Sequence, residues 1–147
     1  MSAGTEPFPA VLLDTCALIF LANGEVMEGA ALTAIMAATP AGGVLVSPIS
    51  AWEVGLLARP KSGVRSTLFV PDPQTWFQRV LDRPGFYQAP FTPAMAMAAC
   101  FLPEGFHRDP ADRMLVATAR HLGVPLVTRD ARIIAYARAG HLEVVPC

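Results

Sequence analysis

The sequence predicts an α/β fold in which helices cover both faces of a parallel sheet. Short apolar runs alternate with segments that carry helix-start and helix-stop residues along almost the whole chain. Most of these runs are apolar at every position, which is typical of strands buried on both faces. The 147 residues, 53% of them hydrophobic, suffice for one domain with a sizeable core. We predict a single domain over 1–147 that begins with a flexible leader, residues 1–9.

Two buried strands and three helices are predicted for the first sixty residues. The strands are short apolar runs over 10–13 and 42–47. The helices end at chain-breaking Asn-Gly or proline residues, and they cover 15–23, 25–38 and 47–60. Ser47 followed by Pro48 is a typical helix start, because serine caps free N–H groups and proline fits the first turn.

Three further strands and four helices are predicted after a loop over 61–72, which holds a brief extended piece, "TLFV" (67–70). The strands cover 86–91, 125–128 and 143–145. The helices cover 73–85, 92–105, 109–123 and 129–140. The third of these helices is the clearest, since Asp109 is a good N-cap, Pro110 fits the first turn and Gly123 marks the end.

Charge, cysteine content and hydropathy exclude several classes of protein. The net charge is −1, so no global basic field points to nucleic acid, and the single lysine, Lys61, excludes a P-loop. The three cysteines are far apart and match no zinc spacing, which indicates free thiols in a reducing compartment. The uncharged stretch 29–52 is broken by proline and glycine, and the N-terminus lacks signal-peptide features. We expect a soluble, cytoplasmic protein with no membrane association.

Four acidic residues are predicted to gather at the edge of the sheet formed by the carboxyl ends of the strands, where ligands bind in such folds. One acid directly follows a predicted strand, one is separated from a strand by a single residue, one lies six residues past the end of the second strand, and one opens the clearest helix. We call this set the acidic quartet: Asp14, Asp130, Glu53 and Asp112.

Apolar residues at positions i+3 and i+4 follow every member of the acidic quartet, which predicts that each acid heads a helix face pointing into the core. For Glu53 these residues are Leu56 and Leu57. Asp109 faces polar residues instead and is predicted to be a plain N-cap. The alternative is that all these acids cap helices, because carboxylates stabilise first helical turns and Ser50-x-x-Glu53 fits a capping box.

Four inward carboxylates at one edge would repel one another, and their pKa values would rise. No lysine is placed to neutralise them, whereas a divalent cation would. A site made only of oxygen donors suits Mg²⁺ or Mn²⁺. Such ions activate water and hold phosphate oxygens during an in-line displacement, so the pattern indicates metal-dependent hydrolysis of phosphodiesters.

Several segments of this sequence together resemble the PIN domain, the fold of VapC-type toxins. They are "VLLDTCALIFLA", "SPISAWEVGLL", "HRDPADRMLVATARHLGVPLVTRDARI" and the closing "EVV". The third is specific, because D-x-x-[LM]-[LIV]-A-x-A and T-x-D place two acids eighteen residues apart. The likeness covers nearly the whole chain from residue 10. It implies a three-layer α/β/α sandwich with a central, mostly parallel sheet of about five strands.

The resemblance also implies the activity, the metal and the partners. It implies a Mg²⁺- or Mn²⁺-dependent endoribonuclease that leaves 5′-phosphate and 3′-hydroxyl ends on RNA. It further implies a homodimer and a cognate antitoxin protein, as in a type II toxin–antitoxin pair. Carried over by position, the catalytic and metal-binding acids of the family fall on the acidic quartet: Asp14, Glu53, Asp112 and Asp130. The two hydroxyl groups of the family's motif fall on Thr15 and Thr128.

Two arginines next to the acidic quartet have two open interpretations. Arg113 and Arg129 either contact substrate phosphates or lie on solvated helix surfaces.

Competing functions use other residues of the same chain. A metal-free ribonuclease would draw its acid and base from the three histidines at 107, 121 and 141. A phosphatase would use Asp14 as nucleophile, although such enzymes usually carry a second acid two residues later, where this chain has Cys16. A PIN-fold module that binds RNA without cleaving it is a further alternative, which the complete acidic quartet opposes. A receiver-like signalling module would need paired early acids and a late lysine, which this sequence lacks.

Overall fold

A computed structural model describes residues 10–64 and 66–147, and the predicted leader over 1–9 lies outside them. The described residues form five strands: β1 (Ala10–Leu13), β2 (Gly43–Val46), β3 (Phe86–Gln88), β4 (Leu126–Thr128) and β5 (Val144–Pro146). They also form seven helices: α1 (Thr15–Ala22), α2 (Gly29–Ala38), α3 (Pro48–Ala58), α4 (Pro73–Leu81), α5 (Pro93–Cys100), α6 (Pro110–Leu122) and α7 (Ala131–Arg138). Every strand and helix that the sequence predicts is present.

The five strands form one sheet in the order β3-β2-β1-β4-β5, and every neighbouring pair is parallel. The central strand β1 pairs with β2 on one side and β4 on the other. In a parallel sheet all the strands point the same way, so the residues that follow β1, β2 and β4 meet at one edge. The predicted α/β fold with a parallel sheet of about five strands is confirmed.

Two hydrophobic clusters cover the two faces of the sheet and account for strands that are apolar throughout. Side chains alternate along β1: Val11 and Leu13 belong to one cluster and Leu12 to the other, and all three are at most 2% exposed. Helices α1 to α4 contribute to the first cluster and α5 to α7 to the second. The arrangement is therefore the predicted three-layer sandwich.

Helix α2 begins four residues later than the sequence predicts. Its first residue is Gly29, and the preceding segment 25–28 is irregular. The Glu25 backbone N–H donates to the Phe20 carbonyl at 2.8 Å, which closes the end of α1. Met27 is buried in the core at 5% exposure. Because these two contacts hold 25–28 against the core, the chain turns before the helix can start.

The loop before α4 forms no strand in its described part, contrary to the extended piece predicted at 67–70. Phe69 is 3% exposed and packs edge-on against Trp76 of α4, with ring centroids 4.9 Å apart. The buried Phe69 ring and a hydrogen bond from the Asn23 amide to the Leu68 carbonyl therefore hold this loop in place of strand pairing. In the part of the chain that the structure describes, none of the helices has the length and apolar character needed to cross a membrane.

Candidate active site

Asp14 is buried at the junction of β1 and α1, directly after the central strand. Its backbone N–H donates to the Val127 carbonyl of β4 at 2.9 Å, and the residue is only 3% exposed. Its Oδ1 accepts a hydrogen bond from the Thr15 backbone N–H at 2.8 Å, and its Oδ2 accepts one from the Thr128 hydroxyl at 2.7 Å. These donors fix the orientation of a carboxylate whose charge is buried.

Glu53 lies in the second turn of α3 and is joined to α1 through two hydroxyl groups. The Thr15 hydroxyl donates to Glu53 Oε1 at 2.5 Å and lies 2.8 Å from the Ser50 hydroxyl. Because Thr15 has a single hydroxyl proton, Ser50 must donate in that second contact. Helix α3 is capped by Ser47, which accepts from the Ile49 N–H at 3.0 Å. The capping-box interpretation of Ser50 and Glu53 is therefore wrong.

The helix face behind Glu53 is also different from the prediction. Leu56 and Leu57 are 42% and 46% exposed, because α3 packs through Val54 and Ser50 instead. The faces behind Asp14 and Asp112 are buried as predicted, with complete burial of Ala17 and Leu115. Behind Asp130, Ile133 is fully buried and Ile134 is half-buried. Glu53 is thus held near Asp14 by the Thr15 hydroxyl rather than by an inward helix face.

Asp130 is linked to Asp14 through Thr128, the last residue of β4. The Thr128 hydroxyl donates to Asp14 and accepts from the Asp130 backbone N–H at 3.0 Å. Asp130 also caps α7, since its Oδ1 accepts from the backbone N–H groups of Arg132 and Ile133 at 2.8 and 3.2 Å. Asp130 therefore caps a helix, as one interpretation predicts, and its backbone is linked to the buried acid through Thr128.

Asp112 lies in the first turn of α6, behind the N-cap Asp109. Asp109 Oδ1 accepts from the Asp112 backbone N–H at 3.0 Å, which agrees with its prediction as a plain cap. The Asp112 side chain does not cap the helix, and it is 14% exposed. Its Oδ2 lies 3.2 Å from Nε2 of His107, a residue in the loop before α6. Sequence reasoning did not connect His107 with the acidic quartet, although it precedes Asp112 by only five positions.

Burial raises the pKa of three members of the acidic quartet. For Asp14, burial outweighs the hydrogen bonds from Thr128 and Thr15 that lower its pKa, and the Asp130 charge adds to the rise. For Glu53, burial outweighs the hydrogen bond from Thr15, and the Asp14 charge again raises the pKa. For Asp112, burial and then neighbouring negative charges, Asp14 first among them, raise the pKa to about 7. The carboxylates are therefore close enough to repel one another.

The Cys16 thiol experiences the same concentration of negative charge. Desolvation is the largest cause, and the charges of all four quartet acids follow, in raising the pKa of this thiol to about 11. Cys16 directly follows Thr15 at the start of α1, where the residue is exposed. The four acids therefore contribute negative charge at the beginning of this helix.

The acidic quartet fits a hard divalent cation by its chemistry, although the site is not preassembled. Among residues 10–64 and 66–147, no three His, Cys, Asp or Glu side chains converge closely enough to form a finished ligand set. The donors are carboxylate oxygens, which Mg²⁺ and Mn²⁺ prefer. The raised pKa values of Asp14 and Asp112 mark negative charge that a cation would stabilise. Binding would draw the carboxylates together from positions that the backbone already holds.

Arg113 contacts backbone carbonyls rather than open space beside the acidic quartet. Its Nε donates to the Ala99 carbonyl at 2.8 Å, and its two terminal nitrogens donate to the carbonyls of Cys100, Phe106 and His107 at 2.8 to 3.3 Å. The guanidinium therefore fastens the end of α5 and the following loop to α6. These contacts favour a structural role over the predicted contact with substrate.

We expect Arg113→Met to lower the free energy of unfolding by about 2–3 kcal/mol, because partly buried carbonyls would lose charged donors. Arg138→Met, at an exposed position of α7, is the matched control and should change stability by less than about 0.5 kcal/mol. Chemical denaturation of both variants measures the difference. Equal stability of the two variants would contradict this role.

Arg129 lies between Thr128 and Asp130 and stacks on an aromatic ring. Its guanidinium carbon is 3.7 Å from the ring centroid of Phe20 in α1. Burial raises the pKa of the Cys147 thiol, and the positive charge of Arg129 opposes that rise. The side chain is exposed, which keeps its predicted contact with substrate phosphates possible.

Comparison with known proteins identifies related chains. Ribonuclease VapC22 of Mycobacterium tuberculosis is 36% identical over 88 residues, which are 60% of this chain and 63% of that relative. The match therefore spans less than two thirds of the relative's length.

Solved structures with low sequence identity share the fold. VapBC2 from Rickettsia felis, crystallised with a DNA fragment of its promoter, matches 93% of this chain and 98% of its own at 14% identity, with a TM-score of 0.63. DNA-bound VapBC from Salmonella typhimurium matches 93% of this chain and 97% of its own at 16% identity, with a TM-score of 0.61. The family model of the PIN domain matches residues 11–139. Since that match covers most of the sequence, the chain belongs to the PIN domain family.

Proposed function

We propose that this protein is a Mg²⁺- or Mn²⁺-dependent endoribonuclease that hydrolyses RNA phosphodiester bonds. The observation that carries the proposal is the buried carboxylate of Asp14 at the carboxyl end of the central strand, oriented by two hydrogen bonds and linked to Glu53 and Asp130 through Thr15 and Thr128. A site of this kind has little use in packing, because burying repelling charges costs stability. It is suited to a cation and to a phosphate held by that cation.

The acidic quartet and its neighbouring residues would have different roles in this reaction. Asp14, Glu53, Asp112 and Asp130 would hold the cation, which supplies an activated water and charge stabilisation at the phosphate. The Thr128 hydroxyl links the Asp14 carboxylate to the Asp130 backbone N–H. The Thr15 hydroxyl holds the Glu53 carboxylate through a hydrogen bond. Arg129, held against Phe20, offers a planar donor to a neighbouring phosphate oxygen.

The alternative functions draw on other features of the same chain. A phosphatase that uses Asp14 as nucleophile usually carries a second acid two residues later, where this chain has Cys16. His121 lies in the last turn of α6, nine residues and about 13 Å along the helix axis from Asp112. It is therefore too far from His107 to form an acid–base pair with it.

We further propose that the chain acts as the toxin of a type II toxin–antitoxin pair. The sequence relative is named a VapC ribonuclease, and the two solved relatives are VapBC complexes bound to DNA. The expected partners are RNA as substrate, a cognate antitoxin protein and a second copy of this chain. Co-expression with any short reading frame found next to its gene, followed by purification of the complex, tests the antitoxin.

The products of cleavage test the proposed chemistry. Water that attacks opposite the 3′ oxygen leaves 5′-phosphate and 3′-hydroxyl ends, whereas attack by the 2′-hydroxyl leaves a cyclic phosphate. We expect purified protein to cut a pool of single-stranded RNA oligonucleotides with Mg²⁺ or Mn²⁺, to stop with EDTA, and to leave 5′-phosphate ends. A single 2′-deoxy nucleotide at the cut site should slow cleavage without preventing it. A cyclic phosphate formed in EDTA would contradict the assignment.

A further inference from the structure

His107 carries a buried nitrogen that needs a partner. It lies in the loop before α6, where its ring packs against Phe106 with centroids 4.2 Å apart. Its Nε2 is buried and has no aligned hydrogen-bond partner among the described residues, although Asp112 Oδ2 lies 3.2 Å away. A buried polar atom left without a partner is costly, so a small rotation that completes this contact is favourable.

The other ring nitrogen fixes which form of the imidazole is present. His107 Nδ1 accepts a hydrogen bond from the Asp109 backbone N–H at 3.4 Å, so in the neutral ring the proton resides on Nε2. A protonated Nε2 cannot ligate a cation, but it can donate to a carboxylate. The backbone at this position is also fixed, because Arg113 donates to the His107 carbonyl at 3.2 Å.

We propose that His107 is a positioning residue for Asp112: its Nε2–H donates to Asp112 Oδ2 and turns Oδ1 toward the cation held by the acidic quartet. The inference rests on the proposed metal-dependent function. It assigns to His107 a role other than the acid–base role of a metal-free ribonuclease. Mutation of a group that orients a metal-ligating side chain commonly weakens metal binding by about 10- to 100-fold.

Two amide variants separate the two ring nitrogens. His107→Gln places an amide donor near the position of Nε2, whereas His107→Asn reaches only the position of Nδ1. His107→Leu removes both nitrogens. The matched control is His141→Leu, because His141 Nε2 also lies 3.2 Å from a carboxylate, that of Glu104 outside the acidic quartet.

The measurement is the dissociation constant for Mn²⁺, determined by calorimetry on the purified full chain, together with the melting temperature in EDTA. We expect His107→Leu and His107→Asn to weaken Mn²⁺ binding by about 10- to 100-fold. His107→Gln should recover most of the wild-type affinity, and His141→Leu should stay within about twofold of wild type. A role limited to packing would lower the melting temperature in EDTA without changing Mn²⁺ affinity.

The outcomes distinguish this inference from the proposed function. If the wild-type protein binds no Mn²⁺, the proposed metal site is wrong, and the inference falls with it. If wild type binds Mn²⁺ but His107→Asn and His107→Gln have the same Mn²⁺ affinity as each other, the positioning role alone is wrong. These two variants carry the test even if His107→Leu fails to fold.

Discussion

Asp112→Asn is expected to slow RNA cleavage by about 10³-fold or more, equivalent to about 4 kcal/mol of transition-state stabilisation. Asparagine keeps the shape of the side chain and removes the negative charge that would hold the cation. The fold should remain intact, because the Asp112 carboxylate caps no helix and its backbone N–H bonds to Asp109 in either case. Cleavage under single-turnover conditions at saturating metal measures the loss.

Asp109→Asn is the matched control, three residues away on the same helix. Asparagine is as good an N-cap as aspartate, so this change should cost about 1 kcal/mol or less of stability. Cleavage should stay within about tenfold of wild type, since Asp109 Oδ1 bonds to the Asp112 N–H as a cap. Equal loss of activity in both variants would remove the distinction between cap and ligand.

The elements of this fold could be predicted because local signals and burial agree. The apolar tetrapeptide of β1 buries its side chains on alternate faces, so its uninterrupted hydrophobicity reflects two helical layers. Helix α6 begins and ends where Asp109 and Gly123 predict. The order of the strands in the sheet could not be predicted in this way, because it depends on which apolar surfaces from distant parts of the chain pack together. No local pattern encodes that choice.

The candidate site was predictable to the extent that the backbone places it. Asp14 and Asp130 follow adjacent parallel strands, so their proximity follows from the sheet alone. The position of Glu53 could not be derived in this way, since Leu56 and Leu57 behind it are exposed. Its link to the site is a hydroxyl contact with Thr15, which is 38 residues away in sequence.

Side-chain roles that depend on distant partners were the least predictable. Trp76 is buried and packs against Phe69, whereas Trp52 is 56% exposed on α3. Arg113 gave no local sign of its carbonyl partners, because they come from α5 and the loop after it. Such contacts depend on how α5 packs against α6, which the amino-acid pattern of either helix does not contain.

Raising the pH is expected to destabilise the metal-free protein, and divalent cations are expected to reverse this effect. The pKa of Asp112 is about 7 in the folded protein and 3.8 in its ordinary state. The folded state therefore binds more protons than the unfolded state between these values. The stability from this group is complete below about pH 4 and is lost as the pH rises through about 7. Burial lowers the pKa of His107, which acts in the opposite direction as the pH rises to its ordinary value of 6.5 and about one unit beyond it.

A comparison of pH 6.5 with pH 8.0 in EDTA, made on wild type and on Asp112→Asn, therefore tests the acidic quartet. Wild type should lose about 1 kcal/mol at the higher pH, which lowers the melting temperature by about 2–4 °C. Asp112→Asn, which cannot titrate there, should lose less. At pH 8.0 Mn²⁺ or Mg²⁺ at 100 times its dissociation constant should add about 2.7 kcal/mol, or about 5–10 °C. The cation should help less at pH 6.5, because protons compete for the carboxylates. A melting temperature that changes neither with pH nor with millimolar Mn²⁺ or Mg²⁺ would mean that the four carboxylates do not share one site.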